Sequence, residues 1–217
     1  MLSLRSSSDT AKGAVALLTD APARAIMKKG FTKGGQYMKW MIASDIHGSA
    51  YWCRRMLDVF EREGADRLVL LGDILYHGPR NDLPQEYAPK EVAAMLNAYK
   101  DKILAVRGNC DAEVDQMVLD FPIMADYAMI DTGERLIFAT HGHVYNSGAL
   151  PPLARGGILL HGHTHVPACE QHDDHLYLNP GSVSIPKNGT PHGYMTLCGG
   201  GLLGKDMDGA VYITHKL

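Results

Sequence analysis

From residue 39 to the carboxyl end, short runs of branched and aromatic apolar residues alternate with longer polar stretches, and this alternation restricts the chain to an α/β architecture. The runs cover residues 39–44, 67–71, 103–106, 135–139, 157–160, 175–178, 193–198 and 210–214, each of strand length. Between the first two, residues 49–63 repeat Trp52, Met56, Val59 and Phe60 at three- and four-residue spacing, which makes one apolar helical face, and Gly64 suits the end of such a helix. Residues 89–99 predict a second helix, opened by Pro89 and carrying Val92, Met95, Leu96 and Tyr99 on one side. Both helices read as packing elements without chemistry.

The chemistry collects where the strands stop. The first run leads into Asp45-Ile46-His47, the second into Gly72-Asp73, the third into Gly108-Asn109, the fourth into His141-Gly142-His143, and the fifth into His161-Gly162-His163-Thr164-His165. Ligands of open α/β sheets bind beyond the carboxyl ends of the strands, so these groups are expected to share one crevice. Asp45 and His47 are two residues apart, as are His163 and His165, so in extended backbone each pair projects to one side and can chelate. A lone histidine at a strand end is usually a hydrogen-bonded surface group. Five ligand-bearing ends in order have no comparably economical structural explanation, because crowded, unpaired Asp and His would cost desolvation energy that a bound cation removes. Carboxylate, imidazole and amide donors together suit a divalent Mn, Fe, Co, Ni or Zn ion.

The series DIH, GD, GNCD, THGH and GHTH, with HGPRN at 77–81 and NPGSVSIPK at 179–187, closely resembles the calcineurin-like metallophosphoesterase superfamily, and within it the small bacterial phosphodiesterases of the YfcE type. The resemblance covers residues 38 to about 184. It implies a four-layer α-β-β-α sandwich with two mixed central sheets. It also implies two divalent metal ions, Mn first among them, that share Asp73 as a bridging carboxylate. Asp45, His47 and His165 would complete one site, and Asn109, His141 and His163 the other. A hydroxide bridging the metals would attack phosphorus in line, without a covalent phosphoenzyme.

Beside Asp73 and Asn109, the catalytic set implied by the resemblance includes Cys110 and His143. Cys110 stands where many family members carry a histidine that assists the leaving group; the alternative is that it merely fills space. His143 is able to face the phosphate or to act as a donor behind the ligands, and the second role is the expected one. His77, Arg80 and Asn81 are read as contacts to the substrate phosphate or its leaving group, against the alternative of a solvent-facing turn. Residues 179–182 read as a turn that shapes the site floor, with Ser182 able to bond a phosphate. His161 is expected to be structural, and His172, His175, His192 and His215 uninvolved.

A formal net charge of -3 gives no electrostatic footprint for nucleic acid or an anionic membrane, so a phosphate substrate must find positive charge in bound metals. Few arginines stand near the motifs, which favours a diester over the more highly charged monoester. The expected function is therefore a metal-dependent phosphodiesterase acting on a small-molecule phosphate ester. One alternative is a phosphomonoesterase of the same mechanism. The other is a non-catalytic scaffold, since the same fold occurs in a subunit of an endosomal sorting coat; every metal position here keeps a capable side chain, which favours catalysis. The four cysteines form no CxxC pair, as suits a reducing cytoplasm. No apolar run approaches the ~20 residues of a membrane span. The resemblance also implies a homo-oligomer. Residues 38–217 form the expected single domain. Residues 1–37, rich in Ser, Ala, Gly and Lys, read as a non-catalytic extension or start-site artefact ahead of Met38, with an acid-poor transit peptide as the other reading.

Overall fold

The computed structural model of the chain describes residues 32–33 and 36–217. Most of the expected extension lies outside the described residues; its described part is a short antiparallel ladder of β1 (Thr32–Lys33) and β2 (Gln36–Tyr37).

Two mixed sheets form the body. In the first, β3 (Trp40–Ala43), β4 (Arg67–Leu70) and β5 (Ile103–Ala105) run parallel. The connections between them contain α1 (Ala50–Arg62) and α2 (Pro89–Asn97). After the one-turn α3 (Glu113–Gln116), the chain builds the second sheet from β6 (Tyr127–Asp131), β7 (Leu136–Thr140), β8 (Gly157–Leu160), β9 (Pro167–Gln171) and β10 (His175–Pro180), in the order β6-β7-β8-β10-β9. It then returns through β11 (Gly193–Cys198), β12 (Gly201–Asp206) and β13 (Val211–Lys216), which extend the first sheet antiparallel from β3.

The period of two in the central strands explains the layering. Met41, Ala43, Leu68 and Leu70 point to one side and bury Met56, Val59, Phe60, Val92 and Leu96 of the helices. Ile42 and Val69, the alternate residues, point to the other side and pack on Ile137, Ala139, Ile158, Leu160, Leu176 and Leu178 of the second sheet. The outer face of that sheet, Phe138, Leu159 and Tyr177, is covered by Tyr145 and Leu153 from the segment between β7 and β8, so loop stands here where helices cover the first sheet.

The two helices and the eight expected strands are present, with ends shifted by up to two residues. Besides the short β1 and β2, three strands of the two large sheets are not among those expected: β6, β9 and β12. Because β6 intervenes, the five ligand-bearing ends do not belong to consecutive strands; three come from one sheet and two from the other. β10 also runs through Pro180, so the turn expected at 179–182 begins only at Gly181, whose φ is +79°.

Candidate metal centre

The ends of β3, β4, β5, β7 and β8 meet at one end of the sandwich. Asp45 N donates to Gly72 O, His47 N to Asp73 O, and Gly162 N to His141 O, which stitches these ends together. Among the described residues, five of the seven non-glycine positions with positive φ are Asp45, His47, Asp73, His163 and His165, held at +50° to +65°. Such backbone is costly for a side chain and persists where the surroundings over-determine it, commonly at functional sites. Two glycines allow the close approach. A Cβ on Gly108 would lie 2.1 Å from Asp73 Oδ1, and one on Gly162 1.9 Å from Ser44 Oγ.

The imidazoles are aimed by their backs. His47 Nδ1 lies 2.8 Å from Tyr76 O, His141 Nδ1 2.7 Å from Leu71 O, and His165 Nδ1 2.6 Å from Ile185 O. A ring nitrogen that donates to a carbonyl leaves the opposite Nε2 with its lone pair facing inward. Facing each other at 3.3 Å are His47 Nε2 and His165 Nε2, with Asp45 Oδ1 3.6 and 3.1 Å from them. A second cluster joins His141 Nε2 to Asn109 Oδ1 at 3.0 Å, to His163 Nδ1 at 3.1 Å and to Asp73 Oδ2 at 3.4 Å. Asp73 Oδ2 is also 3.6 Å from His47 Nε2, so this one oxygen faces both clusters.

The donor set fits two cations. Asp45 Oδ1 is buried and accepts no hydrogen bond among the described residues, a cost that a cation would remove. The protonation balance points the same way. Burial opposes charge on Asp45, yet the imidazoles of His165 and His47 outweigh it and hold the carboxyl well below the usual carboxylate range. For Asp73 burial is likewise outweighed, here by His141, and its carboxyl is lowered. Burial also works against a charged His141, but Asp73 and Asp45 push it up to about 9, while burial and the neighbouring His141 push His163 down to about 4. The carboxylates thus draw positive charge to the spot. Groups with metal-binding spacing are Asp45, His47 and His165; Asp73, His141 and His163; and a third, not foreseen, of His47, Asp73 and Cys110.

The other expected residues lie around this core. Cys110 N donates to Asp73 Oδ1 at 2.8 Å, and its thiol, pushed up to about 12 by burial and then by Asp73, stays protonated at neutral pH. His143 is exposed, its ring 5.4 Å from that of His141 and 6.4 Å from that of His163. His77 is wedged edge-on between Tyr76 and Tyr87, and Asn81 Nδ2 is turned into its own loop, donating to His77 O at 2.8 Å. Arg80 is exposed to solvent. None of these three belongs to a metal-capable group among the described residues.

Two features are absent from the sequence reading or correct it. Asp111 is buried, and its carboxylate accepts from the backbone N–H groups of Asp73, Ile74 and Gly108 at 2.7–2.9 Å, clamping two ligand-bearing loops. The only trace of it in the sequence is the last letter of GNCD. Ser182, expected to be able to meet a phosphate, is buried and donates its hydroxyl to Asp45 O at 2.9 Å, so it shapes the floor and has no proton left for a ligand.

A family model, the calcineurin-like phosphoesterase superfamily domain, matches residues 38–198. Over 157 residues the chain is 52% identical to phosphodiesterase YfcE of Escherichia coli (strain K12), a stretch that covers 72% of this chain and 85% of that protein. The solved structure of YfcE, a phosphoesterase from E. coli, superposes with a TM-score of 0.80 at 46% identity, covering 82% of this chain and 99% of that one. Vacuolar protein sorting 29 from Cryptosporidium parvum shares the fold at a TM-score of 0.58 and 19% identity, over 84% of this chain and 98% of that one.

Proposed function

The chain belongs to the calcineurin-like phosphoesterase superfamily, and on that premise we infer that it is a metal-dependent phosphodiesterase, a hydrolase that adds water across one P–O bond of a small-molecule phosphate diester and releases a monoester and an alcohol. The observation that carries this reading is the pair of donor clusters that share one oxygen of Asp73, with Asp45 Oδ1 buried and unsatisfied between inward-facing imidazoles. We assign one cation to Asp45, His47, Asp73 and His165, and a second to Asp73, Asn109, His141 and His163, with Mn named first and Fe, Zn, Ni or Co able to use the same donors. When bound, two such ions polarise the phosphoryl oxygens and acidify a water for in-line attack.

The chain's own part is orientation. Tyr76 O, Leu71 O and Ile185 O fix three imidazoles, and Cys110 N fixes Asp73. His143 and Arg80, on the exposed side, are assigned to the substrate. Cys110, beside Asp73, is assigned to the leaving-group side. His77 and Asn81 act through the shape of their loop. No helix among the described residues is long and apolar enough to cross a membrane, and with four free cysteines we place the protein in the cytoplasm. We assign catalysis to residues 38–217 and none to 1–37, which a chain begun at Met38 tests by its kinetic constants. A homo-oligomer is proposed from the resemblance and is checked by light scattering.

The deciding experiment strips the protein with chelator and assays bis-p-nitrophenyl phosphate against p-nitrophenyl phosphate, with and without Mn. Metal-dependent hydrolysis that prefers the diester and falls by about 10²-fold or more in Asp73→Asn is the expected result. Turnover of neither ester under any metal would return the chain to the scaffold reading.

A further inference from the structure

A cavity of about 690 Å³ opens between the loop after β4, α2 and the segment around α3. We propose that it is the subsite for one arm of the diester, and that the arm it takes is a flat, uncharged aromatic group; this rests on the phosphodiesterase reading and deepens it.

The wall of the cavity and the donor clusters share residues. Cys110 lines the cavity, and its backbone N–H holds Asp73. Tyr76 lines it, and its carbonyl orients His47. Tyr87 lines it, and its ring presses on Gly48 beside His47, where a Cβ would lie 2.6 Å away. A phosphate held at the centre therefore has this cavity as its neighbour.

The surface of the cavity selects the arm. Its walls are the two tyrosine rings with Ala93, Ala94, Val114 and Val118. Of the polar side chains along it, Asn97 and Asp115 are already committed, and the exposed Lys90 brings a charge opposite to that of Asp115. Asn97 donates to Val118 O and accepts from Asp120 N, and Asp115 accepts from Ala112 N. A polyhydroxylated arm would lose its water here and find few partners, at a cost for each unsatisfied hydroxyl. An aromatic arm loses nothing and gains stacking faces. Val114 and Val118 are 63% and 52% exposed without such an occupant. The volume falls within the range of cavities that bury a ligand of one or two rings.

The test compares benzylphosphonate, cyclohexylmethylphosphonate and methylphosphonate as inhibitors of the Mn-loaded full chain, read by hydrolysis of bis-p-nitrophenyl phosphate. The three share the metal-binding end and differ only in the arm. Benzylphosphonate is expected to inhibit at least about tenfold more tightly than methylphosphonate. That ratio should fall toward one in Ala94→Trp, which fills the cavity from an exposed helix position, and in Val118→Asp, which charges the opposite wall. A ratio near one in the wild type overturns the assignment and leaves the cavity to another occupant, a second copy or the chain's own first residues. A ratio that neither variant moves overturns the location. Equal inhibition by the cyclohexyl and benzyl compounds overturns the aromatic preference. No hydrolysis of the reporter overturns the phosphodiesterase reading, and the assignment with it.

Discussion

Asp111 ties the ends of β4 and β5 together by accepting hydrogen bonds from three backbone N–H groups, those of Asp73, Ile74 and Gly108. An asparagine there has one acceptor oxygen and turns an N–H₂ toward donors it cannot satisfy, so Asp111→Asn should cost about 1–3 kcal/mol in a thermal melt. It should also lower kcat more than it changes KM, because Asp73 loses its seat while the substrate surface is untouched. A melt shift without a kcat change would limit Asp111 to stability. The metal-capable residues were legible in the sequence because they share a position at strand ends, and two pairs of them, Asp45 with His47 and His163 with His165, a spacing of two. Asp111 was not, because a carboxylate that serves backbone N–H groups looks in sequence like any other. Nor did the letters show that Asp45, His47, Asp73, His163 and His165 occupy left-handed backbone, a conformation that the surrounding loops impose against the local preference of those residues.

The first helix follows directly from its local code. Ser49 caps it, its hydroxyl accepting from Trp52 N at 3.2 Å and donating to Gln85 O, which also ties the helix to the loop before α2. Ser49→Ala should cost about 1 kcal/mol, seen as a lower Tm with the metal-dependent activity of the folded protein retained. The strands that went unread share a different cause. β6 and β9 are the edges of their sheet, and β12 opens on Gly201 and carries Gly204 within it. An edge strand has little apolar pattern to show, as Pro167-Ala-Cys-Glu-Gln171 illustrates; it is held by ladder bonds to its neighbour, a partner that local sequence does not name.

At the scale of the molecule, Glu63 joins distant parts of the first layer. Its carboxylate pairs with Lys39 and with Lys205, the latter at 2.8 Å, and accepts from the buried Tyr194 hydroxyl at 2.8 Å. Burial opposes its charge, but Lys205, Lys39 and Tyr194 outweigh burial and hold the carboxyl down to about 2. A depressed folded pKa contributes stability that is present above the unfolded carboxylate value and is lost as pH falls through the folded one. The protein should therefore lose about 1–3 kcal/mol from this group between roughly pH 4.5 and pH 2, and Glu63→Gln should flatten that part of a stability-against-pH curve while lowering stability at pH 7. An unchanged acid limb in the variant would assign the effect elsewhere.

The same scale divides what the amino-acid order determines from what folding decides. Apolar periodicity and strand-end chemistry are local quantities, so the α/β class, both helices, the central parallel strands and the Asp and His donors were readable along the chain. Which donors face which is set by the crossing of two sheets, and the sharing of Asp73 between clusters depends on β4 and β7 ending at the same place. The backbone carbonyls that orient the imidazoles, the Asp111 clamp and the cavity beside Cys110 all arise from contacts between segments far apart in sequence. No local pattern encodes them, because each is decided by the packing of the whole.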